Sequence, residues 1–521
     1  MQTPGPSSRD VRHAEPKRAG SGTVLATVRP ATLPRGSSPA GDPAEALTQR
    51  LAQLGDVDFM RTVLQDAFEQ FAPRAFEVEG YQVEHCKVTP WREVSLALSL
   101  ALRSTRTGSR LRQIVSGTVL TTVDTARRQF QQESLAAPPI GPRTATYGEA
   151  PALAPTALAP EMAMVLRLFP YDPGLTGLAR ATDSGSMTAL LATHLPECRD
   201  QGWRIGNLAC EPVQYKPGRL CTLRYTLTLV HPRHSDWKRI DVFGKVYHDE
   251  RWRRSYALIE ATWRASLRSG GTWCAAQPIA SVGSWRLIVQ SAVGGRQFRH
   301  VLADLTKEAA HADEIQQAAR HLEAVARAAR SMHQSRIRLG PCLDFSALSA
   351  FQRDNLENLR RVQRDLADEV HRLRTEIERL ASACPASELA LAHGDFGHVN
   401  VMVDGERIGI IDFDRAGQAE PAYDVAYFLT HLASFSLRHP ERAVHLRRLC
   451  DHFRDACFDL APQVSSRRLA LYEALDLSAY VLRNFRKRSH QPEWLGWAKG
   501  QIESAWERLD HAAAEGGPAS S

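Results

Sequence analysis

Apolar positions along the chain change period several times. Leu47, Leu51, Leu54, Phe59, Val63, Leu64, Phe68 and Phe71 recur at helical spacing, with a break near Gly55, and predict a helix over 44–71. Alternation replaces that period in 81–88, 94–102 and 113–122, and again in 204–248, predicting two blocks of three antiparallel strands. A further apolar strand covers 285–291, and helical spacing dominates from 297 onward, including 441–458, 465–489 and 493–513. Within 352–382, Leu359, Leu366, Leu373 and Leu380 fall seven residues apart, with Leu356, Val370 and Ile377 as partners. That is either a dimeric coiled-coil seam or an antiparallel helical pair inside one lobe. Gln363 interrupts the seam and the run lasts only about four heptads, which favours the intramolecular pair.

Stretches without period divide the chain. Residues 1–42 are rich in Pro, Gly, Ser, Thr and Arg, too poor in large apolar side chains to offset the entropy of ordering, and are expected to be a disordered tail. Residues 134–162 are rich in Ala and Pro and read as a linker. The expected organisation is an N-terminal α+β block over 43–133, the linker, a second lobe over 163–293, a helical lobe over 294–513 and a tail over 514–521.

The two strand blocks echo one another. Cys86 to Arg92, Leu96 to Leu100, Ser116-Gly117-Thr118-Val119 and Arg127 to Phe130 parallel Cys210 to Arg219, Leu223 to Leu229, Phe243-Gly244-Lys245-Val246 and Arg253 to Tyr256. Either the block is duplicated, or two short β-meanders share a common pattern. In the first copy Thr118 stands where the second has Lys245, and no clustered charge suited to a nucleotide follows. The first copy is therefore expected not to bind ATP and to pack on, or cap, the rest.

Composition narrows the class. A chain of 521 residues with 43% hydrophobic content is long enough for two or three domains. The 65 basic and 58 acidic residues leave a net charge of only +7, with the arginines alternating with acids as on solvated helix faces, so no nucleic-acid partner is expected. Nine scattered cysteines, with no Cys-x-x-Cys pair, read as reduced thiols of a cytoplasmic protein. No apolar run approaches membrane-spanning length, so no membrane partner is expected.

Candidate chemistry concentrates in residues 389–414. Two apolar strands, 399–403 and 408–411, meet at an Asp404-Gly405 turn, and His393, Asp395, Asn400, Asp412 and Asp414 gather at the other end of that hairpin. Phosphoryl transfer needs a carboxylate to receive a hydroxyl proton and oxygen ligands for a hard divalent cation. Asp395 precedes Asn400 by five residues, and Asp412 follows twelve later, the spacing of a kinase catalytic loop and its metal-binding Asp. The alternative is an acidic hairpin with merely solvated turn carboxylates, which a lone His-Gly-Asp would favour; both halves at this separation, with an apolar hairpin between them, favour the kinase-like reading.

The His-Gly-Asp-x-x-x-x-Asn and Ile-Asp-Phe-Asp forms resemble the aminoglycoside phosphotransferase and choline kinase superfamily, over about residues 163–513. The resemblance implies a two-lobed, protein-kinase-like α+β fold with an antiparallel-sheet N-lobe and a mainly helical C-lobe, carrying an additional N-terminal α+β block. It implies ATP and Mg2+ as cofactors, and phosphorylation of a small-molecule hydroxyl on a sugar or polyol, an aminoglycoside or an amino alcohol. Asp395 would be the base and His393 a brace; Asn400, Asp412 and Asp414 would hold metal. Lys245, inside an apolar strand, would clamp phosphates and pair with Glu260. The backbone of Gln290 to Ala292 would bond adenine, and Asp424 would brace the catalytic loop. His333 reads as a packed structural histidine. Glu473, Asp476, Tyr480, Arg483, Trp494 and Trp497 are plausible acceptor-pocket residues. The chain would be a monomer or homodimer. The competing reading is a catalytically silent nucleotide-binding scaffold or pseudokinase.

Overall fold

The computed structural model describes residues 43–89, 92–137, 153–233, 236–305, 312–350, 352–437, 443–461, 464–488 and 493–514. The tail expected over 1–42, all but the first residue of the one over 514–521, and the middle of the expected linker lie outside the described residues.

The helix expected over 44–71 is two helices, α1 (Pro43–Gln53) and α2 (Val57–Phe71), because Asp56 caps the second by accepting the Phe59 N–H at 3.0 Å. Next come β1 (Phe76–Thr89), β2 (Glu93–Ser104), β3 (Arg110–Leu120), α3 (Val123–Ala136), β4 (Thr156–Ala159) and β5 (Met164–Leu168). They form a five-stranded sheet in the order β1-β2-β3-β5-β4. The second lobe is expected to start at 163. Instead, Met164, Val165, Leu166, Arg167 and Leu168 are all buried, as an inner strand requires, and pair with β3 and β4, so that boundary crosses a sheet.

Three short helices, α4 (Leu178–Thr182), α5 (Ser184–His194) and α6 (Pro196–Gln201), lead to β6 (Arg204–Lys216), β7 (Leu220–Val230), β8 (Trp237–Tyr247), α7 (Arg251–Leu267), β9 (Trp273–Cys274), β10 (Pro278–Val282) and β11 (Leu287–Ser291). The second five-stranded sheet has the order β10-β11-β8-β7-β6. Its connectivity repeats the first sheet: a three-stranded meander, a helix, and a returning hairpin whose last strand pairs with the third. Thr118 pairs with Val165 as Lys245 pairs with Ile288, and left-handed Ala163 and Arg286 close the two return hairpins alike. Shared topology and register favour duplication over coincidence. In the first copy, Arg167 donates to Thr118 Oγ1 at 2.9 Å and to Glu133 of α3 at 2.6 Å, so a buried ion pair stands beside the lysine-equivalent position.

The helical lobe contains β12 (Arg296–Gln297), α8 (Phe298–Leu305), α9 (Ala312–His333), α10 (Phe345–Ala350), α11 (Arg353–Val362), α12 (Arg364–Ser382), β13 (Ala390–Ala392), β14 (Val401–Asp404), β15 (Arg407–Ile410), β16 (Gly417–Ala419), α13 (Pro421–Leu437), α14 (Ala443–Leu460), α15 (Ser466–Arg488) and α16 (Trp494–Ala514). The heptad leucines belong to α11 and α12, broken at Gln363, and bury Leu359, Val370, Leu373 and Ile377 in the lobe's own core, which is the intramolecular alternative. The fold is thus mixed α+β and two-lobed, with an added N-terminal sheet whose β1 packs against β6 and α15. Among the described residues no helix is long and apolar enough to cross a membrane.

Candidate active site

Two turns of the helical lobe are pinned by the aromatic residues that follow their carboxylates. Phe396 and Phe413 are buried, with ring centroids 6.0 and 4.8 Å from that of His393, and the polar residue before each is left at the cleft. A buried phenylalanine of this kind is worth about 3–5 kcal/mol against alanine.

His393 ties the turns together. Its Nδ1 accepts the Asp395 N–H at 3.3 Å, so Nε2 carries the proton and donates to the Ile411 carbonyl at 2.9 Å. Asp424, fully buried on α13, accepts the N–H groups of His393 at 2.7 Å and Gly394 at 3.0 Å, and lies 3.0 Å from His333 Nε2. His333 is therefore structural, as its position at the end of α9 implied, and it completes the brace. Gly394 has φ +74°, and a Cβ there would lie 2.3 Å from the Arg415 carbonyl, so only glycine fits.

Asn400 donates from Nδ2 to the Asp395 carbonyl at 2.9 Å. Asp395 receives the Tyr427 hydroxyl on Oδ1, with Arg415 Nη1 3.5 Å from the same oxygen. Burial pushes the Asp395 carboxyl up, but Arg415 and then the Tyr427 hydrogen bond outweigh it and hold it below the usual range. Asp412 occupies the left-handed region at φ +69°, which Asp tolerates better than most residues. That turn carries it to Lys245.

Lys245, 6% exposed, reaches across from β8, its Nζ 2.5 Å from Asp412 and 3.1 Å from Asp414. Burial opposes its charge, yet the two carboxylates more than offset that and raise its pKa well above the ordinary lysine value. In return Lys245 is the strongest influence holding Asp412 down, at about 2 despite burial. Asp414 also accepts the Tyr247 hydroxyl at 2.8 Å.

Two expectations fail. Glu260 pairs with Arg264, one turn along the exposed side of α7, because the face of α7 turned to the sheet buries Ser255, Ile259 and Thr262 instead. Lys245 therefore takes both its partners from the other lobe. The Ala292 N–H donates to the Asp241 carbonyl at 3.3 Å, and Gln290 is paired on both sides, with Phe243 and Pro278. The ladder runs one residue further than expected, which removes the proposed adenine donor at Ala292.

Beyond Asp395 the wall is aromatic and guanidinium-rich. His431 stacks on Tyr427 at 4.0 Å and meets Tyr480 edge-on at 5.5 Å. Burial drives its pKa down to about 4, and its Nε2 has no hydrogen-bond partner. Asp476 is filled by Thr430 at 2.6 Å and Arg483 at 2.9 Å. Of the suggested pocket residues, Asp476, Tyr480 and Arg483 belong to this wall. Glu473 instead holds Arg454 and Arg508, and Trp494 packs on Phe485 in the core. Sequence reasoning missed Arg415, Tyr427 and His431; the one local signal was their place just after Asp414 and at one-turn spacing beyond Asp424.

Oxygen donors alone, two carboxylates and an amide, suit a hard cation such as Mg2+, and Asp412 is held ionised as a ligand must be. Among the described residues no three His, Cys, Asp or Glu side chains form a ready metal cluster. Mg2+ does not require one, because it retains waters and uses phosphate oxygens alongside one or two carboxylates.

Residues 233–459 match the family model described as "Phosphotransferase enzyme family". The likeness to that family lies in this segment. The match covers somewhat less than half of the chain, and it includes Lys245 and the whole braced hairpin with His393, Asp395, Asn400, Asp412 and Asp414. No curated protein matches the chain. Among solved structures, the chain is similar to a choline/ethanolamine kinase family protein from Mesorhizobium loti, at 16% identity over 65% of this chain and 98% of that one, TM-score 0.40. A thermostable mutant of aminoglycoside phosphotransferase APH(4)-Ia gives 13% identity over 64% and 100%, TM-score 0.41. An amicoumacin kinase in complex with AMP-PNP, Ca2+ and its ligand gives 14% over 58% and 88%, TM-score 0.39.

Proposed function

We propose that this chain transfers the γ-phosphoryl group of ATP to a hydroxyl of a small molecule. The observation that carries the reading is the convergence of Lys245 from the sheet lobe with Asp412, Asp414, Asn400 and Asp395 from the helical lobe in one cleft. Asp395 orients the acceptor hydroxyl and receives its proton as the oxygen bonds to phosphorus and the bond to the ADP oxygen breaks. Lys245 holds donor phosphates, and His393, His333 and Asp424 fix the loop. Asn400 and Asp412, with Asp414 assisting, would hold Mg2+, which when bound offsets phosphate charge.

For the acceptor, a neutral polyol or sugar suits the wall better than a polycation. Both nearby carboxylates are already matched to guanidinium groups, Asp395 to Arg415 and Asp476 to Arg483, while His431 stays uncharged. Among the described residues, a compound with several ammonium groups would find no surplus negative charge there. The N-terminal sheet, with Arg167 and Glu133 beside its lysine-equivalent position, serves as a cap that does not bind ATP.

One observation favours the silent-scaffold alternative: among the described residues no carboxylate of α7 partners Lys245. ATP consumption measured against a panel of sugars, amino alcohols and aminoglycosides separates the two. Turnover with a hydroxyl acceptor, lost in Asp395→Ala, supports the enzyme. Saturable ATP binding without turnover on any acceptor supports the scaffold.

A further inference from the structure

The turn between β6 and β7, Tyr215-Lys216-Pro217-Gly218-Arg219, has none of the glycine repetition that lets a flexible loop fold over phosphates. It is built rigidly instead. Asp172, 6% exposed, accepts the Tyr215 hydroxyl at 2.8 Å and the Gly218 N–H at 2.7 Å on one oxygen, and the Gly174 N–H at 2.8 Å on the other. Gly174 packs so tightly on the turn that a Cβ there would lie 2.7 Å from the Gly218 Cα.

Register decides which way the turn's lysine points. Paired residues of adjacent antiparallel strands share a face. Tyr215, Cys221 and Val246 form one row and are buried together in the core on the outer side of the sheet. The next row, Lys216, Leu220 and Tyr247, therefore faces inward. Leu220 and Tyr247 pack there with Ile288, the cross-strand partner of Lys245, and the Tyr247 hydroxyl bonds Asp414. Lys216 thus sits on the cleft face, on the row next to that of Lys245. It is half-buried, feels the charges of Asp412, Asp395 and Asp414 in that order, and burial lowers its pKa. Among the described residues no carboxylate lies within ion-pair distance of it.

We propose that Lys216 is a second phosphate-binding cation, held by the Asp172-braced turn over the β- and γ-phosphates of the nucleotide while Lys245 is anchored on Asp412 and Asp414. An ammonium carried by a rigid turn replaces the backbone N–H groups of a glycine-rich loop, on the sheet face that looks toward Asp412, Asp395 and Asp414. The inference rests on the phosphotransferase reading.

Calorimetric titration of the full chain with MgATP, MgADP and AMP tests it. Lys216→Ala is expected to weaken MgATP and MgADP binding by roughly 10- to 100-fold, the range for a lost hydrogen bond to a charged group, and to leave AMP within about twofold. Lys216→Arg, which keeps charge and fold, is expected to retain MgATP affinity within about threefold. MgATP binding unchanged in Lys216→Ala, or an equal loss for AMP, would overturn the assignment. Absence of MgATP binding in the wild type would instead overturn the phosphotransferase reading, and this proposal with it.

Discussion

Asp424→Asn is the most informative conservative change in this cleft. The native carboxylate accepts three contacts without access to water: His393 N–H and His333 on Oδ2, and Gly394 N–H on Oδ1. An amide keeps one acceptor oxygen. Placed toward His393 and His333 it preserves two contacts and turns its NH2 against the Gly394 N–H, which is left buried and unbonded. A hydrogen bond to a charged group is worth about 1.5–3 kcal/mol net, and a buried donor without a partner costs about as much, so local opening of the loop should become easier by about 2–3 kcal/mol. At 1.4 kcal/mol per tenfold this is a roughly 30- to 150-fold faster amide exchange at Gly394. Hydrogen exchange read by mass spectrometry on peptides spanning 389–400 is the assay, with peptides from β2 and β3 as internal controls. Exchange at Gly394 within threefold of wild type would refute the brace, and equal acceleration in β2 and β3 would show global destabilisation instead.

Three other outcomes follow from the same geometry. Asp395→Ala should lower turnover by a factor on the order of 10² to 10⁴ while MgATP still binds, as steady-state rates and calorimetry would show; turnover within threefold removes its role as base. His431, held at about 4 by burial with Arg483 and Arg415 near, binds a proton in the unfolded chain before it does in the folded one. Stability should therefore fall as pH drops from about 6.5 toward 4, and urea midpoints of His431→Gln should fall less steeply over that window; parallel curves would contradict the assignment. Asp172→Asn should loosen the 215–219 turn and weaken MgATP binding more than AMP binding, whereas an equal loss for both would mark Asp172 as purely structural.

The candidate-site hairpin was legible because its residues are local: Asp395, Asn400, Asp412 and Asp414 lie within twenty residues, and a two-residue turn sets their geometry. Lys245 was legible for a different reason, since a lysine in an apolar strand must have a partner. Which partner was not, because the rotation of α7 decides it, and Glu260 lies one position away from the buried Ile259. The same limit hid Asp172, whose contacts to Tyr215 and Gly218 span more than forty residues, and hid Arg167 and Glu133. The duplication was half-visible. Strands β1 to β3 and β6 to β8 carried matching residues, but β4 lay within, and β5 just beyond, an Ala- and Pro-rich stretch that read as a linker, so the first sheet was cut two strands short.

Magnesium dependence of ATP binding bears most directly on the claim that the two lobes build one phosphoryl-transfer site. Calorimetry of the full chain with ATP should show affinity rising at least tenfold when Mg2+ is added to the wild type. The same addition should do little in Asp412→Asn, which loses a charged ligand yet keeps its shape. ATP binding that ignores Mg2+ in the wild type, or an undiminished gain in Asp412→Asn, would contradict the account.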